Sequence, residues 1–104
     1  MNQEIINTVE IMGSGKLLLI LESGGHSEYE HIYRAAAGVY WDQERKGFHS
    51  NEEPKGWSYT EWFAHIVSVV DMGLDVKLKL GTNINWVNIP QNIKDDILRE
   101  FGRT

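Results

Sequence analysis

The sequence contains no cysteine, no cluster of basic residues and no long apolar run. Without cysteine, disulfide bonds, thiolate nucleophiles and cysteine-bound zinc are all excluded. The longest apolar runs, Leu17–Leu21 and Val67–Val70, are far shorter than a membrane span, and Ser68 interrupts the second. The N-terminus shows no basic region followed by an apolar stretch, so no signal peptide is expected. We therefore expect a cytoplasmic protein without membrane association, either monomeric or a weak homo-oligomer.

The basic residues are few and scattered. The formal net charge is −5, the isoelectric point is near 5.3, and the tightest basic pair, Arg45-Lys46, lies next to Glu44. Affinity for nucleic acid depends on lysine and arginine side chains displacing counterions from phosphates, so we expect no nucleic-acid partner. An acidic surface suits a soluble protein, and it also suits a partner that is basic.

The length and composition indicate an ordinary folded protein. The chain has 104 residues, of which 41% are hydrophobic and 24% are charged. A chain of this length can bury a core of its own, and it falls at the common size for one domain. We therefore expect one domain over residues 1–104.

Two periodicities divide the chain into strands and helices. Alternating or continuous apolar residues predict strands, and apolar residues three and four apart predict helices. Residues 28–37 fit either a short helix or a strand. The remaining predicted strands are 4–12, 16–22, 38–42, 47–50, 74–80 and 84–89, and the predicted helices are 58–72 and 91–101.

The first helix carries the strongest local signals. Ser58 and Glu61 form the pattern of a capping box, in which each side chain binds the backbone amide of the other residue. Gly73 is expected to end the helix in the left-handed conformation. Its apolar stripe comprises Tyr59, Trp62, Phe63, Ile66 and Val70. The second helix follows Pro90, and its residues Ile93, Ile97, Leu98 and Phe101 are expected to face inward.

Strands concentrated early and helices late argue against a doubly wound parallel fold. We predict an α+β fold with an antiparallel or mixed sheet of about five or six strands. Both helices, 58–72 and 91–101, are expected to pack on one face of that sheet.

No motif indicates a cofactor or a metal. Gly13–Lys16 resembles a phosphate-binding loop only superficially, because Leu17 and a strand follow the lysine, so a hairpin turn is expected. The His26-Ser27-Glu28 triplet lacks the cysteine pair that a zinc deaminase needs. The histidines are not at zinc-site spacing; they are His26, His31, His49 and His65. We expect neither cofactor nor metal.

Two acid–base alternatives stay open for an enzyme. Glu61 and His65 are four residues apart on the same side of the predicted helix, as in a surface contact or a catalytic pair. Asp42 lies in an acidic run, where it is either solvated or available as an acid or base.

The segment 39–66 mixes aromatic rings with carboxylates, which suits a core or a recognition surface. Trp57 precedes the helix cap, so it either packs on Trp62 or is exposed for recognition. We predict that a partner or ligand docks on the loop 42–57 within this segment, with Trp41 and Trp57 as candidate anchors and Glu52 and Glu53 as steering charges. The predicted binding residues are Trp41, Asp42, Glu52, Glu53 and Trp57.

The C-terminal pattern contains Ile84, Trp86, Ile89 and Pro90, followed by the inward residues of the second helix. This pattern resembles the ending of small bacterial immunity proteins from polymorphic toxin systems. The strand-rich start and aromatic middle are similar to the same group and to orphan proteins carried on integron gene cassettes. The resemblance implies a small α+β protein that binds and blocks one toxin without catalysis, and it transfers no individual functional residue.

Three classes of function follow. The first is a non-catalytic protein-binding module of the immunity type. The second is a small-molecule binder with a pocket between sheet and helices, lined by Tyr40, Trp41, Trp57 and Trp62. The third is a small enzyme that uses Glu61 and His65, or Asp42.

Overall fold

The computed structural model describes residues 2–34, 38–51 and 56–102. The chain forms, in order, β1 (Asn2–Ile11), β2 (Leu17–Leu21), a 3-10 helix (Ser27–Arg34), β3 (Val39–Asp42), β4 (Gly47–Ser50), α1 (Tyr59–Leu74), β5 (Val76–Val87) and α2 (Gln91–Phe101). The undecided stretch 28–37 is therefore helical as far as residue 34, and residues 35–37 lie outside the described ranges. None of the described helices is both long and apolar enough to cross a membrane.

The strands form one mixed sheet in the order β3-β4-β2-β1-β5. Three of the pairings are antiparallel, and β1 with β5 is parallel. Parallel neighbours need a long crossover, and here residues 12–75 lie between the two strands. The predicted α+β class and the mixed sheet are confirmed.

The β1–β2 connection is the expected hairpin turn. The Gly15 N–H donates to the Met12 carbonyl, and the Met12 N–H donates to the Lys16 carbonyl, each at 2.9 Å. Leu17 then enters β2 directly, so no helix N-terminus follows the glycines to receive a phosphate. The hydroxyl of Tyr59 in α1 donates to the Gly15 carbonyl at 3.0 Å and fixes the hairpin against the helix.

β5 corrects the expectation of two strands separated by a turn at residues 81–83. Ile6 lies opposite Leu80 and Thr8 lies opposite Asn85, so four residues of β5, 81–84, face one residue of β1. The extra residues form a bulge, which lengthens one strand without reversing it. A Cβ at Gly81 would lie 3.0 Å from an Ile5 methyl carbon, so the glycine permits this close approach.

α1 begins where expected and ends later. The Ser58 N–H donates to Glu61 Oε1 at 2.9 Å, and the Glu61 N–H donates to Ser58 Oγ at 3.2 Å, which confirms the capping box. The left-handed residue at the C-terminus is Asp75 (φ 57°, ψ 41°) and not Gly73. Aspartate tolerates this conformation, and the Asp75 N–H donates to the Asp71 carbonyl at 3.0 Å, so the helix continues through the glycine.

Both helices contribute to one core against the inner face of the sheet. Trp62, Phe63, Ile66 and Val70 of α1 are buried, and Ile97 of α2 joins them. The rings of Phe63 and Phe101 lie 4.8 Å apart and connect the two helices. Leu98 does not face inward as expected, because 40% of it is exposed.

Candidate functional site

The residues predicted for binding separate into different environments. Glu52 and Glu53 lie outside the described residues. Trp41 is buried, Asp42 is partly buried in a turn, and Trp57 is half-buried at the start of α1. The role of all five residues in binding stays a prediction.

Trp41 is a core residue. Only 9% of it is exposed, and its ring lies 4.9 Å from the Phe48 ring and 5.3 Å from the Tyr29 ring. Its indole N–H donates to Gln43 Oε1 at 2.8 Å, which satisfies its polar atom locally. Of the two interpretations of the aromatic segment, a core or a recognition surface, the position of Trp41 fits the core.

Asp42 stabilises the turn between β3 and β4. Its carboxylate accepts hydrogen bonds from the backbone N–H of Glu44 and of Arg45, both at 3.0 Å, and from the Arg45 guanidinium at 3.2 Å. Burial acts to raise the pKa of Asp42, but the hydrogen bonds and charge of Arg45, with the Glu44 amide, hold it below its ordinary value. A carboxylate with a lowered pKa is a weak base near neutral pH.

Trp57 packs on Trp62 and stays half-buried. The two ring centroids lie 4.9 Å apart, and Trp57 precedes the cap residue while Trp62 is the fourth helical residue. These are the positions of a hydrophobic staple, which fixes the direction in which the chain enters a helix. The His65 ring lies 4.9 Å from Trp57 and 5.4 Å from Trp62, so three rings form one cluster.

The open side of this cluster is a surface hollow. Its lining residues are Trp57, Glu61, Ala64 and His65, and we call it the Trp57 hollow. Glu61 and His65 therefore do come together, as their helical spacing predicted. A second depression runs between the two helices, and we call it the α1–α2 groove. Its lining residues are Ser58, Thr60, Glu61, Ala64, Asp96, Arg99 and Glu100. The two depressions share Glu61 and Ala64, so they are continuous.

The α1–α2 groove is acidic. Its described lining residues supply three carboxylates, those of Glu61, Asp96 and Glu100, and one guanidinium, that of Arg99. Arg99 is already paired with Asp96. Thr60 Oγ1 is buried and has no hydrogen-bond partner among the described residues. An approaching group would therefore meet net negative charge along this groove.

The sequence interpretation missed a buried carboxylate on β1. Glu4 is 6% exposed, and it accepts hydrogen bonds from the Ser23 hydroxyl at 2.5 Å and the Tyr29 hydroxyl at 2.6 Å. Burial, then the hydrogen bond and charge of Glu4, raise the pKa of Tyr29 well above its ordinary value. His26 Nε2 lies 3.9 Å from Glu4 Oε2 at the surface side. The sequence did carry one sign of this burial, because Glu4 and Ile6 are two residues apart and therefore lie on the same face of β1.

The proposed small-molecule pocket is not assembled as expected. Tyr40 and Trp41 are consecutive in β3, so their side chains project to opposite faces of the sheet. Tyr40 stacks on His49 and is 38% exposed, whereas Trp41 and Trp62 are packed in the core. The described residues also hold no group of three or more side chains arranged for a metal ion.

Comparison with known proteins identifies relatives. A family model described as Integron Cassette Protein Hfx_Cass5 matches residues 6–83. The chain is similar to the solved structure of Integron Cassette Protein Hfx_Cass5 from the mobile metagenome of North West Arm Sewage Outfall. The two sequences are 33% identical over 95% of each chain, and the TM-score is 0.43. No curated protein matches the sequence. The predicted resemblance to integron gene-cassette proteins is confirmed.

Proposed function

The chain belongs to the integron cassette protein Hfx_Cass5 family, and we propose that it acts as a non-catalytic module that binds a partner protein. The proposed contact surface is the Trp57 hollow together with the α1–α2 groove. The observation that carries the proposal is the partly buried Trp57 ring, which packs on Trp62 and lies in one hollow with Glu61 and His65.

A tryptophan held in this way suits recognition for a physical reason. Interfaces draw most of their binding energy from a few large side chains, and tryptophan is strongly enriched among them. The contacts with Trp62 and His65 restrict the Trp57 ring before any partner arrives. Binding therefore costs less side-chain entropy of Trp57 than it would if the ring were mobile in the free protein.

The alternative of acid–base catalysis fits the same residues less well. Glu61 is held by the Ser58 amide in the capping box, and that role accounts for its position. Asp42 is engaged by Arg45 in a turn and does not line the Trp57 hollow. The small-molecule alternative required Tyr40 and Trp41 to line one pocket. Their side chains face opposite sides of the sheet, so they do not line it together.

The finer part of the proposal is that the partner is a toxin that the chain neutralises. Its support is the resemblance of residues 84–101 to the ending of immunity proteins, together with the acidic net charge of −5. An immunity protein acts by occupying a surface of the toxin, so it needs a stable contact face and no chemistry of its own. The Trp57 hollow and the α1–α2 groove offer such a face on two packed helices.

The test is to isolate a partner with the tagged chain and to map the contact surface in the complex by two-dimensional NMR. We expect the Trp57 indole N–H signal and the amide signals of Glu61, His65 and Glu100 to shift. The signals of Tyr40, on the opposite face of the sheet, should not move. Shifts confined to the surroundings of Tyr40, with the Trp57 hollow unchanged, would overturn the proposal.

A further inference from the structure

We propose that the partner segment docking on the Trp57 hollow is cationic, and that it places an arginine or lysine side chain against the Trp57 ring beside Glu61. This inference rests on the proposed function and adds the chemistry of the partner. Its support is the Trp57 ring, the charges that surround the ring, and a contact of the same kind elsewhere in the chain.

The ring and the carboxylate lie on the same hollow. Tryptophan offers the strongest attraction of the aromatic side chains for a cation placed over its face. Glu61 is an exposed residue of α1 and lines the hollow with Trp57. A guanidinium or ammonium group on the ring would therefore have a carboxylate beside it.

The charges of the adjoining surface favour the same occupant. The α1–α2 groove adds Asp96 and Glu100 to the carboxylate of Glu61, and Arg99, its one arginine or lysine among the described residues, is paired with Asp96. Among the residues that the structure describes, no lysine lines either depression. An acidic segment entering here would meet like charge, which disfavours it, whereas a basic segment would be attracted along the groove.

The chain makes a contact of this kind within its own fold. Lys94 Nζ of α2 lies over the ring of Trp86 in β5, 5.7 Å from the ring centroid. That distance is within the range in which a cation is attracted by an aromatic face. In this case the cation comes from the chain itself. At Trp57 we infer that it comes from the partner.

Two substitutions separate the components of the site without removing the local structure. Glu61→Gln removes the charge but keeps a side chain that can close the capping box. Trp57→Leu keeps an apolar residue to pack on Trp62 but removes the aromatic face. Glu44→Gln is the matched control, because it changes the net charge equally at an exposed residue of the β3–β4 turn.

The probes are a glycine–serine peptide that carries two arginines and the same peptide with citrulline in both places. Citrulline resembles arginine in shape but is neutral. We expect the arginine peptide to shift the NMR signals of Trp57 and His65, and the citrulline peptide to bind about tenfold more weakly. Glu61→Gln should weaken binding of the arginine peptide by about threefold, and Trp57→Leu should weaken it by about fivefold. Glu44→Gln should leave the affinity for this peptide unchanged.

The outcomes distinguish this inference from the function on which it rests. Equal binding of both peptides at Trp57 would overturn the inference that the partner segment is cationic. It would still be consistent with the Trp57 hollow as a binding surface. Failure of the arginine peptide to shift the Trp57 signals would also overturn the inference. The proposed function is decided separately, because it fails only if an isolated partner protein does not contact the Trp57 hollow.

Discussion

The indole rings of Trp57 and Trp62 pack against each other across the first turn of α1, with their centroids 4.9 Å apart. Trp62 is buried, and Trp57 is half-buried at the surface. The pair therefore joins the core to the proposed recognition surface through one contact. Variants of the two residues should consequently affect different properties, since one supports the fold and the other meets the partner.

Removal of the Trp62 side chain should destabilise the protein severely. Trp62→Ala empties a buried volume between α1 and the sheet, so we expect the free energy of unfolding to fall by about 3–5 kcal/mol. Urea denaturation measures the change, and Trp57→Leu, which keeps the staple contact apolar, should lose much less. A Trp62→Ala midpoint equal to that of the wild type would contradict the core assignment.

The capping box should contribute through its serine. Ser58→Ala removes the acceptor for the Glu61 amide, and we expect a loss of about 1 kcal/mol in the free energy of unfolding. Ser68→Ala, at an exposed position inside the same helix, is the control and should be neutral or slightly stabilising. Thermal or urea melts decide between them. Equal effects of the two substitutions would show that the cap contributes nothing specific.

The buried contact between Tyr29 and Glu4 should make stability depend on alkaline pH. An unfolded tyrosine has a pKa of about 10. The pKa of Tyr29 is raised in the folded protein, chiefly by burial and then by Glu4. Its contribution to stability is therefore complete below about pH 10 and is lost as the pH rises toward the higher folded value. The stability gap between wild type and Tyr29→Phe should shrink above about pH 10 in urea melts.

The control for the alkaline experiment is Tyr40→Phe, at an exposed ring that stacks on His49. This variant should follow the wild-type pH dependence. A constant gap between wild type and Tyr29→Phe across the alkaline range would contradict the proposed coupling of Tyr29 to Glu4.

The protein should not bind nucleic acid at physiological salt. The net charge is −5, and the sequence has no run of lysine and arginine residues that could neutralise a series of phosphates. Fluorescence anisotropy with a labelled duplex and a labelled single strand measures this directly. Micromolar binding that weakens as salt is added would overturn the prediction.

Local patterns in the sequence were sufficient for the elements that depend on neighbouring residues. The capping box of Ser58 and Glu61, the hairpin turn at Gly13–Gly15 and the start of α2 after Pro90 were predicted and are confirmed. Each rests on hydrogen bonds or backbone conformations within a few residues. The predicted end of α1 at Gly73 was wrong. Aspartate and glycine both tolerate the left-handed conformation, and the sequence did not show that Asp75 would adopt it.

Features that depend on distant contacts could not be read from the sequence. The parallel pairing of β1 with β5 joins residues far apart in the chain, and no local pattern selects that partner. The buried carboxylate of Glu4 accepts hydrogen bonds from the hydroxyls of Ser23 and Tyr29, which are distant from it in the sequence. The spacing of Glu61 and His65 predicted that these two residues of the Trp57 hollow lie together. The α1–α2 groove could not be predicted, because no local pattern showed that α2 packs beside α1.

The most direct test of the proposed function is the dissociation constant of the complex with an isolated partner protein, measured for wild type, Trp57→Leu and Tyr40→Leu. Trp57 lies in the proposed contact surface, and Tyr40 is an exposed aromatic residue on the other face of the sheet. We expect Trp57→Leu to weaken binding by at least ~2 kcal/mol, the level of an interface hot spot, while its urea melt stays close to wild type. Tyr40→Leu should bind normally. Unchanged affinity of a folded Trp57→Leu variant would contradict the account.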